Sequence, residues 1–181
     1  MLAVRDWMVP LQGSTGLQGP DTMSRNSYDH IDCSIAQALD VIGDRWTLLV
    51  IRNAFHGMRT FDAFSDQLGL SSSVLADRLK KLTDNGVLER RSSPEDGRSV
   101  EYRLTPKGFD LYPMLVAMMD WGEKHIPNGR GVRIKLHEKS TGKPVKRVAV
   151  LAHDGRPLKA WDVEVRPGPG ADKKTRMLIE Y

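Results

Sequence analysis

Two short helical patterns stand almost back to back in the middle of the chain, at residues 60–68 and 73–86. In the first, TFDAFSDQL, Thr60 can cap the helix, and apolar side chains recur at the spacing of one helical face. In the second, SVLADRLKKLTDNG, a buried stripe is formed by three leucines: Leu75, Leu79 and Leu82. Gly69 and Leu70 leave room only for a tight turn between them, so we predict a helix–turn–helix unit.

A β-hairpin pattern follows the two helices. Two short β patterns, residues 87–91 and 100–104, flank the turn-forming sequence SSPEDGRS. Upstream, Ser34 and Asp44 can cap two further helices, and the second, RWTLLVIRNAF, is apolar around most of its surface, which is typical of a core helix. This order predicts a mainly α fold with a β-wing (α+β), that is, a winged helix-turn-helix domain.

A longer helix is predicted after the hairpin. Thr105 and Pro106 supply a cap and a first-turn proline, and the apolar pattern extends to about His125. Pro113 can kink this helix or shift its start. The helix carries more apolar surface than one buried stripe needs, and a monomer would leave the surplus exposed. We therefore predict a homodimer.

The two ends of the chain differ from its middle in composition. Residues 1–23 contain several Gly and Pro with few charges, and we expect a flexible extension there. Residues 24–126 form the predicted winged-helix domain. Residues 127–181 alternate apolar and polar or basic side chains and contain the hairpin-type turn sequences TG and DG, which predicts a small antiparallel β domain.

Charge is distributed unevenly along the chain, whose overall net charge is +4. Residues 24–125 hold 13 Lys and Arg against 15 Asp and Glu, whereas residues 126–181 hold 13 against 6. The predicted winged-helix domain is therefore slightly acidic as a whole. Bulk charge does not indicate nucleic-acid binding here, and the case depends on local patterning.

The second helix of a helix–turn–helix unit is the one that enters the DNA major groove. With its leucines buried, its opposite face offers four candidate base readers: Ser72, Ser73, Ala76 and Asp77. Three cations are expected nearer to phosphates: Arg78, Lys80 and Lys81. Taken alone, the same helix is equally typical of a solvated surface helix with ordinary lysines.

The sequence of the hairpin supports the DNA-binding interpretation. Four arginines line it: Arg90, Arg91, Arg98 and Arg103. Of these, we expect Arg91 to contact DNA and Arg98, at the tip, to reach the minor groove. Asp96 can orient Arg98 through a charge-assisted hydrogen bond. The alternative is a surface hairpin without a ligand.

Other classes of protein are less well supported. The sequence has no nucleophile elbow, phosphate loop, metal triad or dinucleotide fingerprint, so we expect neither an enzyme nor a cofactor. With no apolar run near the length of a membrane span and a single cysteine, we expect a cytoplasmic protein. The alternative function is a winged-helix protein-interaction module that does not bind DNA.

Four segments between residues 32 and 125 form a recognisable set: CSIAQALDVIGDRWTLLVIRNAFHGMRTFDAF, LSSSVLADRLKKLTDNGVLERR, VEYRLTPKG and the closing WGE. Together they resemble the HxlR-type regulators of bacterial transcription. The resemblance implies a homodimer on duplex DNA, paired through its terminal helices, and it brings Arg59 of the MRTF segment close to a DNA phosphate. The implied interface residues are Ile35, Leu39, Leu111, Leu115, Met118 and Trp121. The wing sequence PEDGRS is closer to that of the MarR-type regulators.

Two further features follow from this resemblance. Cys33 stands where many HxlR-type proteins carry a cysteine before the first helix, and in some of them it senses oxidants or electrophiles. A helix N-terminus favours the thiolate, but an isolated cysteine is more often a small apolar residue, which is the interpretation we favour. The sensor interpretation implies an oxidant or electrophile as the effector, whereas an inert cysteine leaves a small-molecule effector open.

The C-terminal segment resembles a zinc-ribbon tail found on some HxlR-type proteins. The turns of that tail carry cysteine pairs, whereas the matching segments here, HEKSTGK and VLAHDGRPL, contain none. A structural zinc site needs four ligands, and only His137 and His153 are candidates. We therefore predict a ribbon-like β domain without a bound metal.

Overall fold

The computed structural model describes residues 27–93 and 99–179. The elements are α1 (Ser34–Ile42), α2 (Arg45–Phe55), α3 (Phe61–Leu68), α4 (Ser72–Asp84), β1 (Leu88–Ser92), β2 (Val100–Leu104), α5 (Pro106–Phe109), α6 (Tyr112–His125) and α7 (Lys173–Ile179). Within the described ranges, no helix has the length and apolar character needed to cross a membrane.

Side-chain caps fix the starts of three helices, as the sequence predicts. The Asp44 carboxylate accepts the amide of Trp46 at 2.8 Å at the start of α2. Thr60 Oγ1 caps α3, and Thr105 Oγ1 caps α5. The start of α1 differs from the prediction, because Cys33 occupies the N-cap position without a side-chain hydrogen bond and Ser34 is the first helical residue.

The hydrophobic core lies between α1, α2, α3, α4 and the hairpin. Phe64 of α3 and the three leucines of α4 (Leu75, Leu79 and Leu82) are completely buried. They pack with Val50 and Ile51 of α2 and with Leu88 and Leu104 of the two strands. The apolar spacing of the sequence therefore becomes one continuous core, which fixes the angle between α3 and α4.

The two strands form an antiparallel hairpin, paired from Leu88 with Leu104 to Ser92 with Val100. A short third segment joins this sheet, because Thr60 pairs with Glu101 and the Tyr102 amide donates to the Arg59 carbonyl at 2.7 Å. The hairpin is thereby attached to the start of α3. This arrangement confirms the predicted winged helix-turn-helix fold.

The helix after the hairpin is interrupted. α5 ends at Phe109, and α6 begins only at Tyr112, with Pro113 in its first turn. The shifted start is the second of the two effects predicted for this proline, which lacks an amide hydrogen and is tolerated in a first turn.

Residues 127–179, called the arm below, differ from the predicted β domain. Turns form at the expected places, yet each closes a single bridge, His137 with Pro144 and Leu151 with Pro157, and no regular strand forms within residues 127–179. None of these residues is buried, and a two-stranded hairpin without a covered apolar face is marginally stable. The arm also ends in α7, which the sequence patterns did not predict.

Candidate nucleic-acid interface

The turn between α3 and α4 comprises residues 69–71. Gly69 ends α3 in the left-handed conformation, with φ of 61°, and its amide donates to the Ser65 carbonyl at 2.9 Å. This conformation favours glycine because side chains crowd the backbone there. The turn brings the first residues of α4 directly after α3, as a helix–turn–helix unit requires.

The outer face of α4 lies opposite its buried leucines. The four candidate base readers, Ser72, Ser73, Ala76 and Asp77, are all exposed on this face. Ser71 occupies the N-cap position, but its side chain makes no capping hydrogen bond and lies 3.3 Å from the Ser73 hydroxyl. The first turn of α4 therefore presents small hydroxyl side chains and uncapped amides, which can donate to bases or phosphates.

Arg78 joins α4 to α2. Its Nε and Nη2 atoms donate to the two carboxylate oxygens of Asp44 at 2.9 and 3.1 Å, and its Nη1 contacts Asp77. The sequence suggested a phosphate partner for Arg78, whereas the structure places this guanidinium on two carboxylates of its own chain. Asp44, which we had assigned only a capping role, is thus a positioning residue for α4.

Asp44 serves two helices with one carboxylate. Partial burial acts to raise its pKa, but the amide of Trp46 and the guanidinium of Arg78 outweigh burial and hold the pKa below its ordinary value. The charged form is therefore the one that the native structure stabilises. Because Asp44 and Arg78 are 34 residues apart, no local sequence pattern could pair them.

The lysines of α4 are placed differently from one another. Lys80 forms an ion pair with Asp84 one turn later, and the hydrogen bond that Lys80 donates to this carboxylate raises the pKa of the Lys80 amine. Lys81 is half-buried and lines a polar cavity between α1, α4 and the segment before α1. Several charges of α4 are thus already balanced within the chain.

The basic side chains of the two hairpin strands contact acidic or aromatic side chains of the same hairpin. Arg91 is exposed and pairs with Glu89, while the Arg90 guanidinium lies over the Tyr102 ring. Arg103 donates to Glu101, and this hydrogen bond contributes most to lowering the pKa of the Glu101 carboxyl. Arg98 and Asp96, the predicted wing-tip pair, lie outside the described residues.

Arg59 lies between the end of α2 and the hairpin. Its side chain is half-buried and donates to the Ala54 carbonyl at 3.2 Å, and its own carbonyl accepts the Tyr102 amide. The structure therefore places Arg59 beside the sheet and immediately before α3, so that the hairpin, α3 and this arginine form one unit.

The predicted interface residues fall into two groups. Ile35 and Leu39 on α1, and Met118 and Trp121 on α6, are exposed, with 71% of Ile35 and 60% of Trp121 accessible. Leu111 and Leu115 pack against the core instead. Leu115 and Met118 also line an apolar groove of about 630 Å³ between α2, α6 and the start of the arm.

The cysteine and the two histidines of interest lie apart from one another. Cys33 is half-buried at the start of α1, whereas His137 and His153 lie in the two turns of the arm. Among residues 27–93 and 99–179, no group of three or more His, Cys, Asp and Glu side chains is arranged to hold a metal ion.

Comparisons with known proteins agree with this architecture. Residues 41–130 match the model of the HxlR-like helix-turn-helix family. An HTH-type transcriptional regulator of Mycobacterium bovis is 36% identical over 141 residues, covering 78% of this chain and 89% of that protein. These relatives are transcriptional regulators, a class that is not enzymatic, as the sequence predicted.

Two solved structures are similar over most of the chain. PA1607, described as a candidate transcription factor, is 42% identical, with a TM-score of 0.71 over 76% of this chain and 96% of that one. PA1374 from Pseudomonas aeruginosa, described in the same way, is 32% identical, with a TM-score of 0.56 over 81% of this chain and 99% of that one. The chain described here belongs to the HxlR-like helix-turn-helix family of transcriptional regulators.

Proposed function

We propose that this protein is a sequence-specific regulator that binds double-stranded DNA as a homodimer in the cytoplasm. α4 enters the major groove, and the hairpin formed by β1 and β2 follows the phosphate backbone as a wing. The observation that supports this most strongly is the outer face of α4, where small and polar side chains are exposed directly opposite three fully buried leucines.

Some side chains of α4 contact bases, and others fix the orientation of the helix or attract phosphates. Ser72, Ser73, Ala76 and Asp77 are short enough for the helix to approach base edges closely, and their polar atoms suit direct readout. Arg78 holds the helix at its required angle through Asp44. Lys80 and Lys81 supply the nearby positive charge that phosphates attract.

The wing supplies contacts that do not depend on base sequence. Arg91 is exposed on β1, and Arg59 lies where the sheet meets the start of α3. We infer that both exchange part of their internal contacts for phosphate oxygens when DNA binds. Arg98 at the wing tip completes this set as a minor-groove or phosphate contact, on the evidence of the sequence alone.

The proposed dimer presents two copies of α4 to one duplex. The exposed side chains of Ile35, Leu39, Met118 and Trp121 provide an apolar surface on α1 and α6 for a second copy. A two-fold dimer reads a pseudo-palindrome whose half-sites lie about 10 bp or a multiple apart.

Two experiments test this proposal. Fragments that the protein binds are first selected from a random pool of duplex DNA, and the base preferences of variants are then compared with that of the parent. Ser73→Ala is expected to change which base is preferred at one position of each half-site. The matched control is Ser140→Ala, since Ser140 is an exposed serine in a turn of the arm. If no sequence is enriched, or if both variants keep the parent's preference, α4 is not the reading helix. Binding to a protein partner instead of DNA would support the interaction-module alternative.

A further inference from the structure

The arm contains ordered local structure without a core. Both of its turns are closed by backbone hydrogen bonds, and α7 follows them, yet no residue of 127–179 is buried. Its apolar side chains point to solvent: Trp161 is 79% exposed, Leu178 76%, Val165 68% and Val150 65%. A surface of this kind on a monomer marks a site of association.

Both ends of the arm are attached to the body of the protein. At the start, Arg133 pairs with Glu123 at 3.3 Å and donates to the Ile126 carbonyl at 3.0 Å. At the end, the Asp172 amide and the Thr175 hydroxyl donate to Asp32 at 3.1 and 3.0 Å. These attachment points are the last turn of α6 and the residue before Cys33, which opens α1.

The attachment points place the arm next to the two helices that carry the other exposed apolar side chains. α1 presents Ile35 and Leu39, and α6 presents Met118 and Trp121. A second copy that covers these helices therefore meets the arm as well. The open groove beside α6 already receives Ile134 and Leu136 from the start of the arm on one side.

Charge indicates which part of a second copy the arm contacts. The arm holds 13 Lys and Arg against 5 Asp and Glu, whereas residues 24–125 hold 13 against 15. Two such arms repel each other, but each is attracted to the other copy's body. Exposed acids next to α1 and α6 in the chain include Asp29 and Asp110. Opposite charge at an interface favours encounter and fixes its register.

We propose that the arm of each protomer packs across α1 and α6 of a second copy, so that two arms embrace two bodies reciprocally. This rests on the proposed homodimer and names the surface that completes it. DNA is the other class of partner that a basic arm suits. Protein–DNA interfaces are polar, however, whereas the side chains left uncovered here include a tryptophan, a leucine and several valines.

Sedimentation of full-length variants provides the first test. Because Val150 and Trp161 make up exposed surface of the monomer, replacing both with serine leaves the core intact. The double variant Val150→Ser/Trp161→Ser is expected to weaken dimerisation by at least about tenfold. Gln67→Ser, at an exposed position of α3 outside α1, α6 and the arm, is the control and is expected to match the parent.

Photocrosslinking locates the arm directly. In a Cys33→Ser background, Trp161→Cys is labelled with a thiol-reactive benzophenone, and isotopically heavy and light chains are mixed before irradiation. Crosslinked peptides are expected to join the arm to α1 or α6 in heavy–light pairs. The same label at Gln67→Cys is expected to give no such pairs.

The outcomes separate this inference from the proposed function. A monomeric parent would contradict the homodimer itself. A dimeric parent whose double variant dimerises equally well, or whose crosslinks stay within one chain, would overturn the arm inference and leave the homodimer standing. Unchanged dimerisation with weaker DNA binding would overturn it too, and would assign the arm to DNA.

Discussion

The body of the protein, residues 27–126, and the arm, residues 127–179, use similar local signals with different results. Both contain glycine turns in the left-handed conformation, at Gly69 in the body and at Gly142 in the arm. Both have apolar residues at regular spacing. In the body these residues meet in a core that completely buries Phe64 and Leu79, whereas in the arm each of them stays accessible to solvent.

The comparison shows that local sequence determines where the chain turns. Burial of apolar side chains determines whether the folded region is stable without a partner. The body can hold α4 rigidly because four helices and a hairpin share one core. The arm has no equivalent core, and its turns and its contacts with Glu123 and Asp32 hold it while its apolar side chains stay uncovered. The chain therefore separates a helix that is held by a core, which suits the proposed reading of DNA, from an arm with uncovered apolar side chains, which suits the proposed contact with a second copy.

The largest expected contrast comes from truncating one apolar side chain in each region. Leu79→Ala removes a fully buried side chain and is expected to lower the free energy of unfolding by about 3–5 kcal/mol. Val150→Ala removes an exposed one and is expected to change it by less than about 0.5 kcal/mol. Urea denaturation at a protein concentration below that of dimerisation measures both. Equal losses would mean that the arm has a core of its own.

An intermediate loss of stability is expected at the joint between α2 and α4, by which we mean the ion pair of Asp44 with Arg78. Asp44→Ala removes both the cap of α2 and the partner of Arg78, and is expected to cost about 1–2 kcal/mol. Asp44→Asn can still cap and should lose less. Asp66→Ala, at an exposed position of α3, is the control and should match the parent. Full stability of Asp44→Ala would show that the joint does not hold α4.

The same joint predicts a pH dependence. The pKa of Asp44 is lower in the folded protein than its ordinary value of 3.8, because the Trp46 amide and Arg78 outweigh the effect of burial. Its contribution to stability is therefore complete above about pH 4 and is lost as the pH falls through the folded pKa. The stability difference between parent and Asp44→Ala should accordingly be constant from pH 7 to pH 5 and shrink in more acidic solution.

The smallest contrast uses two glycines with the same backbone conformation. φ is 61° at Gly69 and 68° at Gly142, and a Cβ at either position meets no atom within 4 Å. Only backbone strain distinguishes alanine from glycine at these positions. Gly69→Ala is expected to lower the body's stability by about 1 kcal/mol, and Gly142→Ala to leave it unchanged. A comparable loss in Gly142→Ala would show that arm and body unfold together.

Much of the body could be predicted from sequence because its signals are local. The Thr60 and Asp44 caps, the tight turn at Gly69 and the leucine stripe of α4 each lie within a few residues of what they determine. They were sufficient to define the helix–turn–helix unit and the hairpin. The candidate DNA face followed, since burial of one side of α4 leaves only the other side available.

What could not be predicted depends on contacts between distant residues. Arg78 was expected near phosphate, and only the folded chain shows that Asp44 engages it. The arm was predicted to be a small β domain because alternation indicates strands but does not tell whether a second layer exists to cover them. Its final helix, α7, starts at a local cap that the sequence analysis missed, because the Asp172 carboxylate accepts the Thr175 amide at 2.7 Å. Only the folded chain shows that Asp172 and Thr175 also contact Asp32, which lies 140 residues before Asp172.

The central claim is that the body binds duplex DNA through α4 and the wing. Its most direct test is the affinity of the full-length protein for a selected duplex and for a scrambled duplex, measured across a salt series. We predict tighter binding to the selected duplex, a linear fall of log K with log salt, and a slope reduced by about 2 in Arg91→Ala, since each protomer of the bound dimer then lacks one phosphate contact. Equal affinity for both duplexes, or an affinity independent of salt, would contradict the account.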